Sequence, residues 1–581
     1  MTTKITLGLS AARHDGSACI LKDYKLVAAV QLERLTRIKT DGDRIPTEAI
    51  DEVLRITGLS KSDITHISLS RNRFPSQWFD FSYRDLAYKA KRVFEAGQRN
   101  IIGRDHILTM TKECRRGSTT DAITLFNSER FLSDNGFSAK TQVAFYDHHY
   151  AHVLPCLFHN PEWKDALLYS ADGGGDTGFY SFRYFDGQKI HHHFGGEEWV
   201  LKDAPASSLA FAYGTATQAL GFKINRHEGK LTGLAAYGKP TLLDQLLARF
   251  SIQDDGQIVS TFESHGVMRE WIFDLCKNVD RENVAASFQE LLHILVPQSI
   301  QKLLTIFPTK NIGLSGGLFA NVRLNQVIAE TCDLDSIFIY PAMSDAGLCT
   351  AGALQNLLES DGLETWLSHR ETCENLYLGG NYDQAADTYF DSIESFKKIE
   401  GDTIALTVDA LANGDAIAIY NHGMEFGPRA LGARSVIASP HDHDINRSLN
   451  ERMERSEFMP FAPYVRDVDA DEVFHLPNAF HYPARFMTIT CQVKDEWKEK
   501  IPAVVHIDNT ARPQIIFRKD NELYYDILTA FKEKTGLPVL INTSFNVHEE
   551  PIINSPEECA RALIDNRVDG VVTANGLYKI K

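Results

Sequence analysis

The chain has 581 residues, 43% of them hydrophobic, and a formal net charge of -17. That length calls for two or more domains, and the acidic balance argues against a surface that tracks a nucleic-acid backbone, favouring, weakly, a cationic small substrate. Nine scattered cysteines with no CxxC pair exclude a zinc ribbon or dithiol motif, and no apolar run approaches a membrane span, so a cytoplasmic protein without a signal peptide is expected.

In chain order, "KITLGLSAARHDGSACILKDYKLVAAVQLERLTR" predicts a strand, a polar turn around His14 to Ser17, two further strands and a charged helix. "FYDHHYAHVLPC" follows an apolar strand. With Asp147 as N-cap, His148 and His152 stand at i and i+4 on one helical face, while His149 points elsewhere and Pro155 threatens a kink. "DALLYSADGGGDTGFYSFRYFDGQKIHHHF" repeats the opening plan of strand, tip and strands, with His191 to His193 on a solvated edge. Two such openings suggest two related lobes. "NIGLSGGLFANVRLNQVIAE" brings a strand to Ser315-Gly316-Gly317 and then a helix, a turn whose free amides and helix dipole suit a nucleotide. Two hairpin tips and one Gly-Gly turn at lobe-sized intervals are the layout of the actin-like and sugar-kinase fold. Residues 361–396 turn polar and irregular and are expected to link a first domain, 1–360, to an α/β second domain, 397–581.

Two helical histidines alone lack the third ligand of a catalytic metal. Asp345, at the start of "DAGLCTAGAL", either caps that helix or completes a two-His, one-carboxylate set suited to iron as well as zinc. His14, beside Asp15, is either an exposed turn histidine or, as a neutral imidazole, a base for a hydroxyl. In the second domain Arg429, Arg434, Arg455, His506, Arg512, Asn542 and Ser544 gather near Gly and Pro turns, as an anion site or as interdomain salt bridges.

Five motifs, "HEGKLTGLAAYG", "EFGPRALGARS", "FMPFAP", "DNTARPQ" and "NTSFN...EEPI", resemble the O-carbamoyltransferases of nodulation factors, aminoglycosides, cephems, ansamycins and guanidinium toxins. Met459 stands where many of these carry arginine. The resemblance covers nearly the whole chain. It implies an actin-like domain similar to the threonylcarbamoyl-transferring protein of tRNA modification, followed by a domain similar to its carbamoyl-AMP-forming partner.

By the same resemblance, carbamoyl phosphate and ATP yield carbamoyl adenylate in the second domain, and a hydroxyl takes the carbamoyl group in the first. His148, His152 and Asp345 are implied as ligands of Fe2+ or another divalent metal, and His14, with Asp15, as the base. Lys230, Gly173, Gly174, Ser315, Gly316, Gly317 and Asn321 fall on the nucleotide side, with Mg2+ a further candidate. Arg429, Arg512, Asn542 and Ser544, then Arg434, Arg455 and His506, fall to carbamoyl phosphate and ATP. The partner expected is a small hydroxylated acceptor, an aminoglycoside or saxitoxin-type alkaloid, with a homodimer left open. A tRNA threonylcarbamoyltransferase and an actin-fold small-molecule kinase are the alternatives.

Overall fold

The computed structural model describes residues 3–11, 14–70, 78, 126–175, 178–195, 206–455 and 460–581, so Met459 lies outside the described residues. Its first domain is a sheet built twice. Strands β1 (Ile5–Ser10), β2 (Ser17–Lys22), β3 (Lys25–Gln31), β4 (His66–Ser70) and β5 (Gln142–Tyr146) form the order β3-β2-β1-β4-β5. Strands β6 (Ala166–Gly175), β7 (Gly178–Phe185) and β8 (Ile190–Phe194) begin the second lobe, a small hairpin of β9 (Phe250–Ile252) and β10 (Ile258–Ser260) intervenes, and β11 (Asn311–Ser315) and β12 (Ser336–Ile339) complete it. Its order, β12-β11-β6-β7-β8, is the first sheet again. In each lobe an antiparallel meander of three strands is extended by two parallel ones. The repeated hairpins thus do form two lobes of an actin-like fold.

The lobes exchange helices. The helix His148–Phe158 leaves the first lobe's β5 and packs on β6 and β11 of the second, while Leu348–Asp361 leaves β12 and packs on β1, β2 and β4 of the first. The strands have made room. A methyl group on Gly8 would lie 2.0 Å from the Cys349 carbonyl oxygen, and one on Gly313 would lie 2.5 Å from Cys156 Cβ. Both faces of β1 are consequently buried, Leu7 and Leu9 meeting the helix Thr47–Thr57 core on one side and Gly8 meeting Cys349 on the other.

The second domain is one eight-stranded sheet. Its strands are β13 (Phe396–Ile399), β14 (Ile417–Tyr420), β15 (Arg434–Ala438), β16 (Ala462–Arg466), β19 (Gln514–Ile516), β20 (Val539–Ser544), β21 (Gly570–Thr573) and β22 (Gly576–Ile580), with β17 (Cys491–Gln492) and β18 (Thr510–Ala511) a separate pair. The order is β13-β22-β21-β14-β15-β20-β16-β19, with apolar clusters on both faces.

Segment 361–396 is structured. Trp366 is fully buried with its indole N–H on the Leu354 carbonyl, and the helix Asp383–Ser392 packs on Pro556–Ile564. Its polarity reflects surface helices, not a free linker. No helix among the described residues is long and apolar enough to cross a membrane.

Candidate metal centre and the domain junction

Asp147 caps the first exchanged helix as its sequence suggests, accepting the Tyr150 amide at 2.7 Å, and the helix continues through Pro155 to Phe158. Its N-terminal turn enters the cleft between the lobes. Just ahead of the second exchanged helix, Ser344 caps the 3-10 turn Asp345–Gly347, its hydroxyl accepting from Ala346 N. Asp345 is therefore left to point elsewhere, and Ser17, from the first lobe, donates to the Ala346 carbonyl at 2.7 Å and pins that turn.

Four side chains converge as a result. His152 Nε2 lies 3.3 Å from Asp172 Oδ2 and 3.5 Å from Asp345 Oδ1, and His148 Nε2 lies 3.7 Å from each of the same two oxygens. All the facing atoms fall within 4.8 Å of one another. His152 Nε2, Asp172 Oδ2 and Asp345 Oδ1 are buried and, outside this group of four, have no hydrogen-bond partner among the described residues. Buried lone pairs aimed at one point without a donor are costly unless a cation sits among them. Two imidazoles and two carboxylates are the donor set of iron, manganese or zinc, so this group could hold a divalent metal.

The surroundings hold the ligands in place. Ser315 Oγ reaches His152 Nδ1 at 3.4 Å, and Gly175 lies so close to His148 that a methyl group there would stand 2.2 Å from its ring. Burial alone would raise the Asp172 carboxyl, but hydrogen bonding and charge from His148 and His152 outweigh it and hold it well below the usual carboxylate range. His149 faces the other way, Nδ1 3.1 Å from Ser170 Oγ, and burial followed by its two histidine neighbours depresses it to about 4, leaving a neutral packing ring.

Asp172 is the member of this group that sequence reasoning placed in a glycine-rich tip and not in the metal set. The repeat held the clue. His14 lies in the turn after β1, and Asp172 lies near the end of the equivalent β6, where its register with β7 shifts, so the duplication aims both tips at one cleft.

His14 sits beside the group, with Nδ1 3.2 Å from Asp15 Oδ2, Nε2 4.0 Å from Asp345 Oδ2 and its side chain 31% exposed. Burial works to lower its pKa. The Asp15 hydrogen bond and the charges of Asp345, Asp15 and Asp172 prevail and raise it to about 10. These carboxylates favour the protonated ring, whereas the base read from sequence is a neutral imidazole.

The nucleotide candidates divide. Gly173, Gly174 and Gly317 are exposed at the cleft, and a methyl on Gly317 would stand 3.2 Å from Asp172 Oδ1. Gly316 is buried in the left-handed region (φ 95°) against the Ala171 carbonyl, and Ser315 is fully buried on His152. Asn321 accepts from Leu324 N, capping Val322–Thr331, and otherwise pairs with Gln289. Lys230 reaches across to the second domain, Nζ 3.5 Å from His548 Nε2.

In the second domain Arg455 donates to Thr543 Oγ1, to the Ser544 hydroxyl and carbonyl, and to Asn546, tying that loop together. Arg434 is wholly buried, stacked 3.8 Å over Tyr420 and donating through Nη1 to the carbonyls of Asn421, His422 and Ala433, while its Nε and Nη2 have no hydrogen-bond partner among the described residues. The residues around it hold the Ala430–Arg434 main chain rigid. Glu425 Oε1 accepts the amides of Leu431, Ala433 and Arg434, Asn542 donates to the Ala430 carbonyl, and Gln514 and Tyr377 donate to that of Leu431. Arg429, half-buried, immediately precedes this frame, and Arg512 is likewise half-buried. His506 Nδ1 pairs with Asp508 at 3.2 Å and its ring meets Tyr237 of the first domain edge-on.

A second histidine group lies at the junction of the domains. His227 Nε2 is 2.5 Å from Glu549 Oε1, His548 stacks on His227, and Lys223 and Arg226 also pair with Glu549 at 2.6 and 3.3 Å.

Comparison with known proteins agrees with this architecture. The model of the carbamoyltransferase N-terminus matches residues 5–354, and that of the carbamoyltransferase C-terminus matches residues 408–579. The chain is 31% identical over 469 residues to an uncharacterized protein, MJ1058, of Methanocaldococcus jannaschii, covering 76% of this chain and 74% of that one. It is 28% identical over 584 residues to nodulation protein NolNO of Sinorhizobium fredii, covering 97% and 79%. Among solved structures, the activator of the 2-hydroxyisocaproyl-CoA dehydratase from Clostridium difficile with bound ADPNP aligns at 13% identity and TM-score 0.33, over 61% of this chain and 97% of that one, too distant to bear on function.

Proposed function

This chain belongs to the carbamoyltransferase family, and from that premise we propose that it is an ATP-dependent O-carbamoyltransferase acting through carbamoyl adenylate on a hydroxyl of a small, cationic natural product. In this reading water cleaves carbamoyl phosphate in the second domain beside Arg429, Arg455 and Arg512 into carbamate and inorganic phosphate, and a carbamate oxygen attacks the α-phosphorus of ATP, releasing pyrophosphate. The adenylate then passes to the cleft of the first domain. There the acceptor oxygen bonds to the carbamoyl carbon, the bond from that carbon to the phosphate oxygen breaks, and AMP leaves.

The observation that carries the reading is the convergence of His148, His152, Asp172 and Asp345 with His14 alongside. We assign Fe2+ to the four ligands. A divalent metal held there supplies a Lewis acid for the phosphate or carbamoyl oxygen. His14 takes the acceptor proton, a role that requires the carboxylate charge around it to be balanced. Asp15 orients that ring through its 3.2 Å contact. Adenylation makes a good leaving group out of a poor acyl donor, and a water-poor path between domains protects it.

The test incubates the Fe2+-loaded protein with ATP, carbamoyl phosphate and a panel of hydroxylated aminoglycosides and guanidinium alkaloids. AMP, pyrophosphate and a carbamoyl mass addition are expected. ADP with a phosphorylated acceptor, or no pyrophosphate at all, defeats the reading.

A further inference from the structure

The loop between β3 and the helix Thr47–Thr57 is bonded to both candidate sites at once. On one side it holds the base hairpin: the Asp15 and Gly16 amides donate to the carbonyls of Thr40 and Asp41 at 3.3 and 2.7 Å, and Leu32 N donates to Gly16 O at 2.7 Å. Asp15 and Thr40 both adopt left-handed backbone, φ 60° and 58°, a conformation that needs outside support in residues other than glycine. Support for Thr40 comes from Glu33, whose Oε2 accepts the Thr40 amide at 2.7 Å. Glu33 Oε1 in turn pairs with Arg34 Nη1 at 2.7 Å, and both side chains are buried.

On the other side the same residues grip the second domain. Arg34 Nη2 donates to the Gly427 carbonyl at 2.8 Å and to Gln31 Oε1 at 3.0 Å, and that Oε1 also accepts the Gly427 amide at 3.1 Å. Both polar groups of one glycine are thus held by side chains some 390 positions earlier in the chain. Gly427 has φ 120° and lies two residues before Arg429. A continuous series of hydrogen bonds therefore runs from the Arg429 turn through Gln31, Arg34, Glu33 and Thr40 to the hairpin of His14.

We infer that Gln31, Glu33 and Arg34 are positioning residues that fix the activating turn of the second domain against the transfer hairpin of the first, so that the adenylate made at one is kept from water until it reaches the other. This rests on the function proposed above. The loss it prevents is hydrolysis: water oxygen bonds to the carbamoyl carbon, the bond from that carbon to the phosphate oxygen breaks, AMP leaves, and the carbamic acid decomposes to carbon dioxide and ammonia. Positioning of this kind acts through geometry and exclusion of water, not through contact with reacting atoms.

The experiment needs no acceptor. Fe2+-loaded full-length protein is mixed with ATP and carbamoyl phosphate alone, and the initial burst of pyrophosphate is measured beside the steady release of AMP and ammonia. Wild type is expected to give a burst near one per protein and then slow turnover. Arg34→Met and Gln31→Leu should keep that burst within about threefold while steady AMP and ammonia release rises at least about fivefold. Arg34→Lys should leak less than Arg34→Met. Gln31→Leu preserves the buried Glu33–Arg34 pair, so it answers the question if Arg34→Met does not fold. A burst that falls without faster leakage, or no change in either quantity, overturns the inference while leaving the proposed function standing. A wild-type protein that releases no pyrophosphate overturns both.

Discussion

The two groups of histidine and carboxylate are made of the same residue types and invite opposite conclusions. In the lobe cleft His148, His152, Asp172 and Asp345 meet, and among the described residues no lysine or arginine pairs with the Asp172 or Asp345 carboxylate. At the domain junction, His227, His548 and Glu549 meet as closely, but Lys223 and Arg226 already satisfy the single carboxylate. Among the described residues the carboxylates of the first group face only histidines, whereas that of the second is met by the protein's own lysine and arginine. Composition and spacing do not separate a metal centre from an ionic clasp; the inventory of donors does.

That contrast is most directly broken at Asp172. Asp172→Ala is expected to abolish Fe2+ retention after desalting, read by metal analysis, and to lower carbamoyl transfer at least about 100-fold, since a first ligand matters more than the outer partners that tune affinity 10–100-fold. Full retention would remove Asp172 from the centre. Gly175→Ala removes no ligand, yet its methyl would stand 2.2 Å from the His148 ring, so metal retention should fall by a similar order while folding is kept. Unaltered metal content would mean that His148 is free to shift.

Ser315→Ala tests the support of His152 and should weaken metal affinity about 10–100-fold in competition with a chelator.

The smallest effect belongs to the clasp. Glu549→Gln should leave metal content unchanged and lower the unfolding midpoint by the equivalent of about 1–2 kcal/mol, discounted for partial exposure. Burial tends to raise the Glu549 carboxyl, but the Lys223 and His227 hydrogen bonds outweigh it and bring it to about 2. Its folded value lies below its unfolded one, so its stabilisation is present above pH 4.5 and is lost as the pH falls from about 4.5 to about 2. Unfolding curves of wild type and variant should converge over that window. A gap that persists below it would point to packing instead of charge.

Local features of the cleft were legible in sequence wherever one segment carried the whole signal. The Asp147 cap, the shared face of His148 and His152, and the twin hairpins needed only spacing and turn residues. Asp172 was hidden because "ADGGGD" reads as a loop for phosphate, and only the convergence of both lobes turns its carboxylate towards the histidines. Asn321 was harder to read for a related reason: an amide after a Gly-Gly turn looks available for ligands, and its pairing with Gln289 depends on a different helix. The same holds for segment 361–396, whose polarity masked buried anchors such as Trp366 and Phe390.

The exchanged helices bear on how this protein comes to exist at all. Each lobe's sheet is roofed by a helix that the chain delivers only after, or before, the other lobe, with Gly8 and Gly313 left bare to receive it. Synthesised in order, the first sheet must wait for residues 348–361, some 200 positions beyond its own last strand, before its second face is covered. Neither half is then a self-sufficient folding unit, and a truncation placed between β5 and β6 would leave apolar sheet surface open to aggregation.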